Sequence, residues 1–216
     1  MDVHKSSVLA VFDAKQRLEV TLFQRQYVWN EEKHWLPLWE DIQRKFVESL
    51  EGRKDAPNHF LGALVLDQKQ TPTGHVVVRQ VIDGQQRLTT LQIFLAAYRD
   101  FCSIQACSDL AAECEKFLYN TGMMTDSNVD RFKVWPTQLD RPQFTDVISS
   151  GSRKTLLDRH PLRRKPYARH PEPRPRMVEA YLFFSDQLES FFLGVNGEPP
   201  ICLSRGERRA AYLRRI

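Results

Sequence analysis

The run Asp83-Gly84-Gln85-Gln86-Arg87, followed by Leu88-Thr89-Thr90, puts a carboxylate, two amides, a guanidinium and two hydroxyls into eight consecutive positions. Such a set can grip an oxyanion, provided the backbone brings it together. The β-branched run from Val76 to Ile82 reads as a strand. Asp83-Gly84 then predicts a tight turn, with Asp83 a candidate helix N-cap. From Gln86 to about Phe101 the pattern is helical, and Leu88, Ile93, Phe94, Leu95 and Tyr98 leave little polar face. A helix that is apolar nearly all round is buried. The polar residues therefore sit on the first turn of a buried helix that follows a strand. Free backbone N–H groups and the positive end of the dipole make that turn an anion site. Arg87 adds a planar fork suited to phosphate oxygens. No Gly-Lys-Ser or Gly-Lys-Thr follows a glycine-rich run, so this is not a P-loop.

A second constellation is Phe23-Gln24-Arg25-Gln26-Tyr27-Val28-Trp29. In extended backbone, Arg25, Tyr27 and Trp29 point to one side and Gln24, Gln26 and Val28 to the other. An arginine beside two aromatics suits a site that holds a phosphate and stacks a base. The same residues serve equally as two core aromatics and a surface ion pair, and taken alone the stretch favours that plainer reading. A third piece, Phe60-Leu61-Gly62-Ala63-Leu64-Val65-Leu66, reads as a buried strand in which Gly62 lets something approach the backbone closely. The loop from Asp67 to His75 returns it to the Val76 strand, most simply as an antiparallel hairpin.

The remaining elements must hold these three pieces together. Ser6 or Ser7 can cap a short helix, Leu18 to Val20 is a short strand, and Asn30-Glu31-Glu32 signals a helix start whose main body begins near Leu36 because of Pro37. Leu38, Trp39, Ile42, Phe46 and Leu50 keep helical spacing. Asp109 to Tyr119 is a further helix, Phe132 to Trp135 a short strand, and Thr137 to Ile148 a loop feeding a short helix. Ser149 to Pro175 carries five prolines among its charges and reads as a mobile loop or insertion. Met177 to Phe192 is a strong helix. Ser204-Arg205-Gly206-Glu207 is a capping box opening a last helix that the chain end at Ile216 cuts off, so the chain reads as the N-terminal part of a longer protein. The fold class expected is α+β: a small mixed sheet with helices, followed by a mainly helical second half. The divisions are 1–148 for the core, 149–176 for the basic loop and 177–216 for the helical extension.

At 216 residues the chain can bury one sizeable core, and its 27% of charged residues excludes neither class of soluble protein nor nucleic-acid binder. No apolar run reaches the ~18 residues of a membrane span, and Met1 to Lys5 lacks a signal-peptide core. A cytoplasmic location and no membrane partner are expected. The four cysteines include no Cys-x-x-Cys pair, which argues for reduced thiols and against zinc. Charge is uneven. Between Arg153 and Arg176 nine basic residues face two acidic ones, and from Arg205 to Ile216 five face one, which leaves the rest acidic against an overall +4. Basic segments on an acidic body fit nucleic-acid contact or plain solvation equally.

Together the three pieces resemble the N-terminal domain of GmrSD-type modification-dependent restriction proteins, a domain shared with sensors of phosphorothioate-based phage defence. Asp-Gly-Gln-Gln-Arg is that family's hallmark, and Gln-Arg-x-Tyr-x-Trp accompanies it. Phe132-Lys133-Val134-Trp135-Pro136-Thr137 with Asp140, and the late helix around Tyr181 and Phe184, are also similar to the family. The likeness spans about Leu18 to Phe192. Thr21 where proline is usual, Pro37, and the proline- and arginine-rich segment after Ser149 depart from the pattern. The resemblance implies a core similar to the ParB/sulfiredoxin-like fold. It also implies binding and hydrolysis of a nucleoside triphosphate (GTP or another) with Mg²⁺, coupled to restriction of DNA, modified or not, by a nuclease domain or subunit. No segment here pairs histidines and asparagine as a His-Asn-His nuclease does, so nuclease chemistry is not expected from this chain.

The residue types fit, because phosphoryl transfer needs charge neutralisation and positioning more than covalent chemistry. Arg87 is the expected phosphate clamp and Arg25 a second cation. Asp83 can hold Mg²⁺ or orient the attacking water, and Gln86 or Gln85 can bind phosphate, ribose or that water. Thr89 and Thr90 offer hydroxyls, Tyr27 or Trp29 a stacking face, and Gln24, Gly62 and Gly84 complete the expected nucleotide site. Arg163, Arg164, Lys165 and Arg169 are the expected DNA contacts. The competing reading is a non-catalytic module that binds DNA or reads modified DNA and uses nucleotide only as a switch. A third, sulfiredoxin-like chemistry, wants a reactive cysteine at a helix N-terminus, where Cys102, Cys107 and Cys114 do not fall.

Overall fold

A computed structural model describes residues 3–53, 57–122, 124, 126–164, 166–167 and 170–194. In chain order the elements are α1 (Val8–Asp13), β1 (Gln16–Val20), a π-helical turn (Glu31–Trp35) running into α2 (Leu36–Leu50), β2 (Val65–Gln68), β3 (Val77–Asp83), α3 (Gln85–Ile104), α4 (Ser108–Leu118), α5 (Ser127–Asp130), β4 (Val134–Trp135), α6 (Arg141–Ser149), α7 (Arg153–Arg159) and α8 (Arg176–Leu193). The class is α+β, with a small mixed sheet and a helical second half.

The sheet order is β2-β3-β1-β4. β1 runs parallel to both β3 and β4, with Leu18 opposite Arg79 on one side and Val134 on the other. β2 returns antiparallel on β3. The site follows from the β3–α3 junction: a strand that pairs on both edges feeds directly into the longest of the described helices. Fifteen of α3's twenty residues are buried, which is why its sequence shows no polar face. It packs on α4, α6 and α8. Trp39, Phe94, Phe184, Phe191 and Phe192 interlock as tilted or edge-to-face pairs around it, the arrangement that aromatic quadrupoles favour. No described helix is long and apolar enough to cross a membrane.

Four local expectations are corrected. Asp83 is not the cap of α3: it ends β3, paired with Val65, and the N-cap is Gly84 in the left-handed region at φ 98°. The strand expected over Phe60–Leu66 is only Val65–Gln68, and Phe60 is 80% exposed. The cause is Gly62, at φ +102°, which turns the chain out of extended geometry. The strand expected from Phe132 shrinks to Val134–Trp135, Phe132 forming an isolated bridge with Tyr119. Finally, the segment read as a loop after Ser149 contains α7. Ser152 caps it by accepting from Thr155 N–H, and Leu156 is fully buried. Arg153 pairs with Asp186 of α8, and Asp146 of α6 meets Arg159 and His160. The five prolines that suggested a loop all follow this helix. The helix expected from Ser204 lies outside the described residues.

Candidate functional site

The first turn of α3 is the centre of the site. Its earliest intrahelical bond is Leu88 N–H to Gly84 O at 3.0 Å, and no side chain caps the helix. The N–H groups of Gln85, Gln86 and Arg87 precede that bond, so a twenty-residue dipole ends in unpaired donors. Gly84 is the one residue type that fits here. A Cβ would stand 2.3 Å from Leu64 Cδ2, and the positive φ is strained for any other side chain.

The motif side chains fasten two loops to this helix end. On one side lies the segment 21–30, which has no regular structure. Gln24 Nε2 donates to Val81 O and Ile82 O, both at 2.8 Å. Gln85 Nε2 donates to Arg25 O at 3.0 Å. Gln86 donates to Gln26 O and accepts from Val28 N–H, both at 3.0 Å, so its amide acts as a short piece of strand. Asp140 accepts from Tyr27 N–H at 2.9 Å and from Thr137 Oγ1 at 2.8 Å. Arg176 Nη1, at the start of α8, donates to Val28 O at 3.2 Å.

On the other side, Arg87 holds the Gly62 loop. Nη1 donates to Leu61 O at 2.8 Å, and Nη2 to Ala63 O at 2.6 Å and to Asp83 Oδ2 at 3.4 Å. A Cβ on Gly62 would lie 1.8 Å from Arg87 Nη1. What approaches the Gly62 backbone is thus the arginine itself. A guanidinium has more N–H donors than these acceptors use. Asp83 is exposed, and Arg87 is its ion-pair partner.

The other expected site residues divide by exposure. Arg25 is exposed beside Gln85. Tyr27 is buried, and its hydroxyl belongs to a chain of hydrogen bonds. Trp35 Nε1 donates to it at 2.8 Å, it meets Thr90 Oγ1 at 2.7 Å, and Thr90 donates to Gln86 O at 2.8 Å. Burial pushes the Tyr27 phenol well above its ordinary range. The ring of Tyr27 and the hydroxyls of Tyr27 and Thr90 are therefore spent inside the protein, and Thr89 is buried with them. Trp29 keeps partial exposure and stacks on His34 at 4.8 Å. Burial, with Lys33 and Arg25 nearby, lowers the His34 pKa despite an opposing Asn30 hydrogen bond, so a neutral imidazole lies on the indole.

Arg163 and Arg164 are exposed on the segment after α7, while Lys165 and Arg169 lie outside the described residues. Sequence reasoning counted Arg176 only as one charge of the basic segment and gave no role to the Leu61 and Ala63 carbonyls; the partners of all three lie far away in sequence. Cys102, Cys107 and Cys114 are free. Burial raises Cys102 to about 11 and Cys114 to about 12, the opposite of a reactive thiolate. Among the described residues no group of three or more His, Cys, Asp or Glu side chains is arranged to hold a metal.

No curated protein matches the chain. Residues 8–210 match the protein family described as GmrSD restriction endonuclease, N-terminal domain. That match covers both clamped loops, the β3–α3 junction and the helical second half, so the chain belongs to the family of GmrSD restriction endonuclease N-terminal domains, a component of restriction systems.

Proposed function

We propose that the chain binds and hydrolyses a nucleoside triphosphate at the β3–α3 junction and couples this to DNA sensing and to cleavage by a nuclease domain or subunit. One observation carries the reading: an uncapped N-terminus of a long buried helix with Arg87, Asp83 and Arg25 around it. The backbone donors and Arg87 would receive phosphate oxygens. Because Arg87 is fixed by loop carbonyls, little side-chain entropy remains to be lost on binding. Asp83 has an exposed carboxylate, and among the described residues it belongs to no group of three or more His, Cys, Asp or Glu side chains arranged to hold a metal. That suits Mg²⁺, which characteristically takes one or two carboxylates together with substrate phosphates and water. When bound, the ion would neutralise phosphate charge. Gln85 and Gln86 hold the Arg25 loop against the helix, so they act on the site by positioning that cation. Of the two aromatics expected to stack a base, Trp29 has the open surface.

Phosphate release by the purified chain, assayed with each of the four NTPs and Mg²⁺, tests the enzyme reading. Nucleotide binding without release favours the alternative, a DNA reader switched by nucleotide. Arg87→Ala should weaken NTP binding by ~1.5–3 kcal/mol, the worth of a charge-assisted hydrogen bond. An unchanged Kd by calorimetry, with the circular dichroism of the wild type, would remove Arg87 from the site.

The basic segment offers the DNA backbone contact. Arg163 and Arg164 are exposed and, with Lys165, form three consecutive cations. Neutralising all three should flatten the slope of log K against log salt on duplex DNA by about two to three units. Affinity should fall alike for modified and unmodified DNA, because phosphates carry no sequence information. A salt series on both proteins decides it; identical slopes would mean a solvated segment.

A further inference from the structure

Some 12 residues beyond Arg87 along α3, roughly 18 Å down the helix axis, Arg99 lines an open cleft of about 590 Å³ between α3, α4 and the end of α6. That volume is in the range of small-molecule sites. Arg99 is only 5% exposed. Its Nε donates to Asp100 Oδ1 at 2.8 Å, and Nη1 to Glu115 Oε1 at 3.0 Å and Ile148 O at 2.9 Å. Nη2 is buried with no hydrogen-bond partner. An unpaired N–H on a buried cation is costly and uncommon in folded proteins.

A second guanidinium lines the same cleft. Arg131 lies over the rings of Tyr119 and Phe132, at 4.9 and 4.8 Å, and its Nη2 donates to Ser149 Oγ at 3.3 Å. Among the described residues it has no carboxylate within salt-bridge distance. The acids of the cleft do not compensate it. Asp100 is taken by Arg99 and by Tyr181 OH at 2.6 Å. Glu115 is bound to Arg99 Nη1, and its half-exposed side chain can swing into solvent without burying a charge.

We propose that this cleft is a second ligand site, separate from the β3–α3 junction, for a small molecule bearing one oxyanion, a phosphate or a carboxylate. Arg131 is its principal cation, and Arg99, whose unpaired Nη2 is closed off from solvent, contributes its charge from beneath the cleft rather than a direct bond. A guanidinium seated over two rings and hydrogen-bonded to Ser149 is held in place, which suits forked recognition of either oxyanion. The site needs no nucleotide at the junction and stands or falls independently of the hydrolysis proposed there.

Calorimetry of the purified chain with orthophosphate, and separately with acetate, tests this. Heat with either anion is expected, and which anion gives it identifies the group. The signal should persist in Arg87→Gln, which removes the principal cation of the other site. It should weaken ~tenfold or more in Arg131→Gln, as loss of a charge-assisted hydrogen bond predicts. Ala112 is an exposed lining residue on α4, so changing it leaves the core untouched. Ala112→Glu should weaken binding and Ala112→Lys strengthen it, even if Arg131→Gln fails to fold. The proposal is overturned if neither anion gives heat, if Arg87→Gln abolishes the heat, or if Ala112→Glu binds as tightly as the wild type.

Discussion

Asp83→Ala is expected to abolish NTP hydrolysis, on the order of 10²–10⁴-fold, the usual worth of a positioned acid–base group. Nucleotide binding should survive. The structure separates this from a stability effect. Asp83 does not cap α3, because Gly84 occupies that position. It is exposed, and its bond to Arg87 is long at 3.4 Å, so an ion pair of this kind contributes little to folding. Arg87 keeps its two carbonyl acceptors in the variant. The binding data then discriminate further. A carboxylate beside an anion site repels a phosphate unless a metal or water mediates. Without Mg²⁺, the variant should bind NTP as well as the wild type or better; with Mg²⁺, its advantage should disappear. Phosphate release and calorimetry with and without the ion are the measurements. Hydrolysis at the wild-type rate would show that Asp83 is only the last residue of a strand.

Local pattern carried the sequence reading a long way at this junction. β-Branched residues through Ile82, an Asp-Gly, and an apolar run to Phe101 specify strand, turn and buried helix by interactions within a few residues. The observed elements, Val77–Asp83 and Gln85–Ile104, follow that pattern. What stayed hidden depended on distant partners. Leu61 and Ala63 lose the strand expected of them where Gly62 turns the chain, and the carbonyls that would join a ladder go instead to Arg87, more than twenty residues later. Tyr27 turns inward because Thr90 and Trp35 offer its hydroxyl partners. No alternation in Gln26-Tyr27-Val28 could show that. α7 had a local signal, Ser152 three residues before Thr155, but the prolines downstream outweighed it. Asp140 stands out in the sequence only through the family resemblance; its bond to Tyr27 N–H spans 113 residues.

Asp100→Ala is expected to cost ~3–5 kcal/mol of folding stability, the penalty for stranding one partner of a buried ion pair. That is a large part of the ~5–15 kcal/mol typical of a whole domain. The Asp100 and Arg99 side chains are 4% and 6% exposed. Removing the carboxylate leaves Arg99 Nε without its acceptor, and Arg99 already has one unpaired nitrogen. It also leaves Tyr181 OH, on a residue 1% exposed, without the acceptor it now meets at 2.6 Å. The loss therefore comes from two desolvated donors as well as from one ion pair. Asp100→Asn retains one acceptor and should fall between wild type and alanine. The double variant Arg99→Met with Asp100→Leu removes both charges and fills part of their volume, so it should recover part of the loss. Midpoints of urea unfolding for the four proteins, with slopes compared to check that each transition is of the same kind, give the differences directly. If Asp100→Ala unfolds at the wild-type midpoint, Arg99 must regain solvent through the cleft it lines. In that event the pair is not truly desolvated, and its attraction to Asp100 is worth no more than that of a surface ion pair.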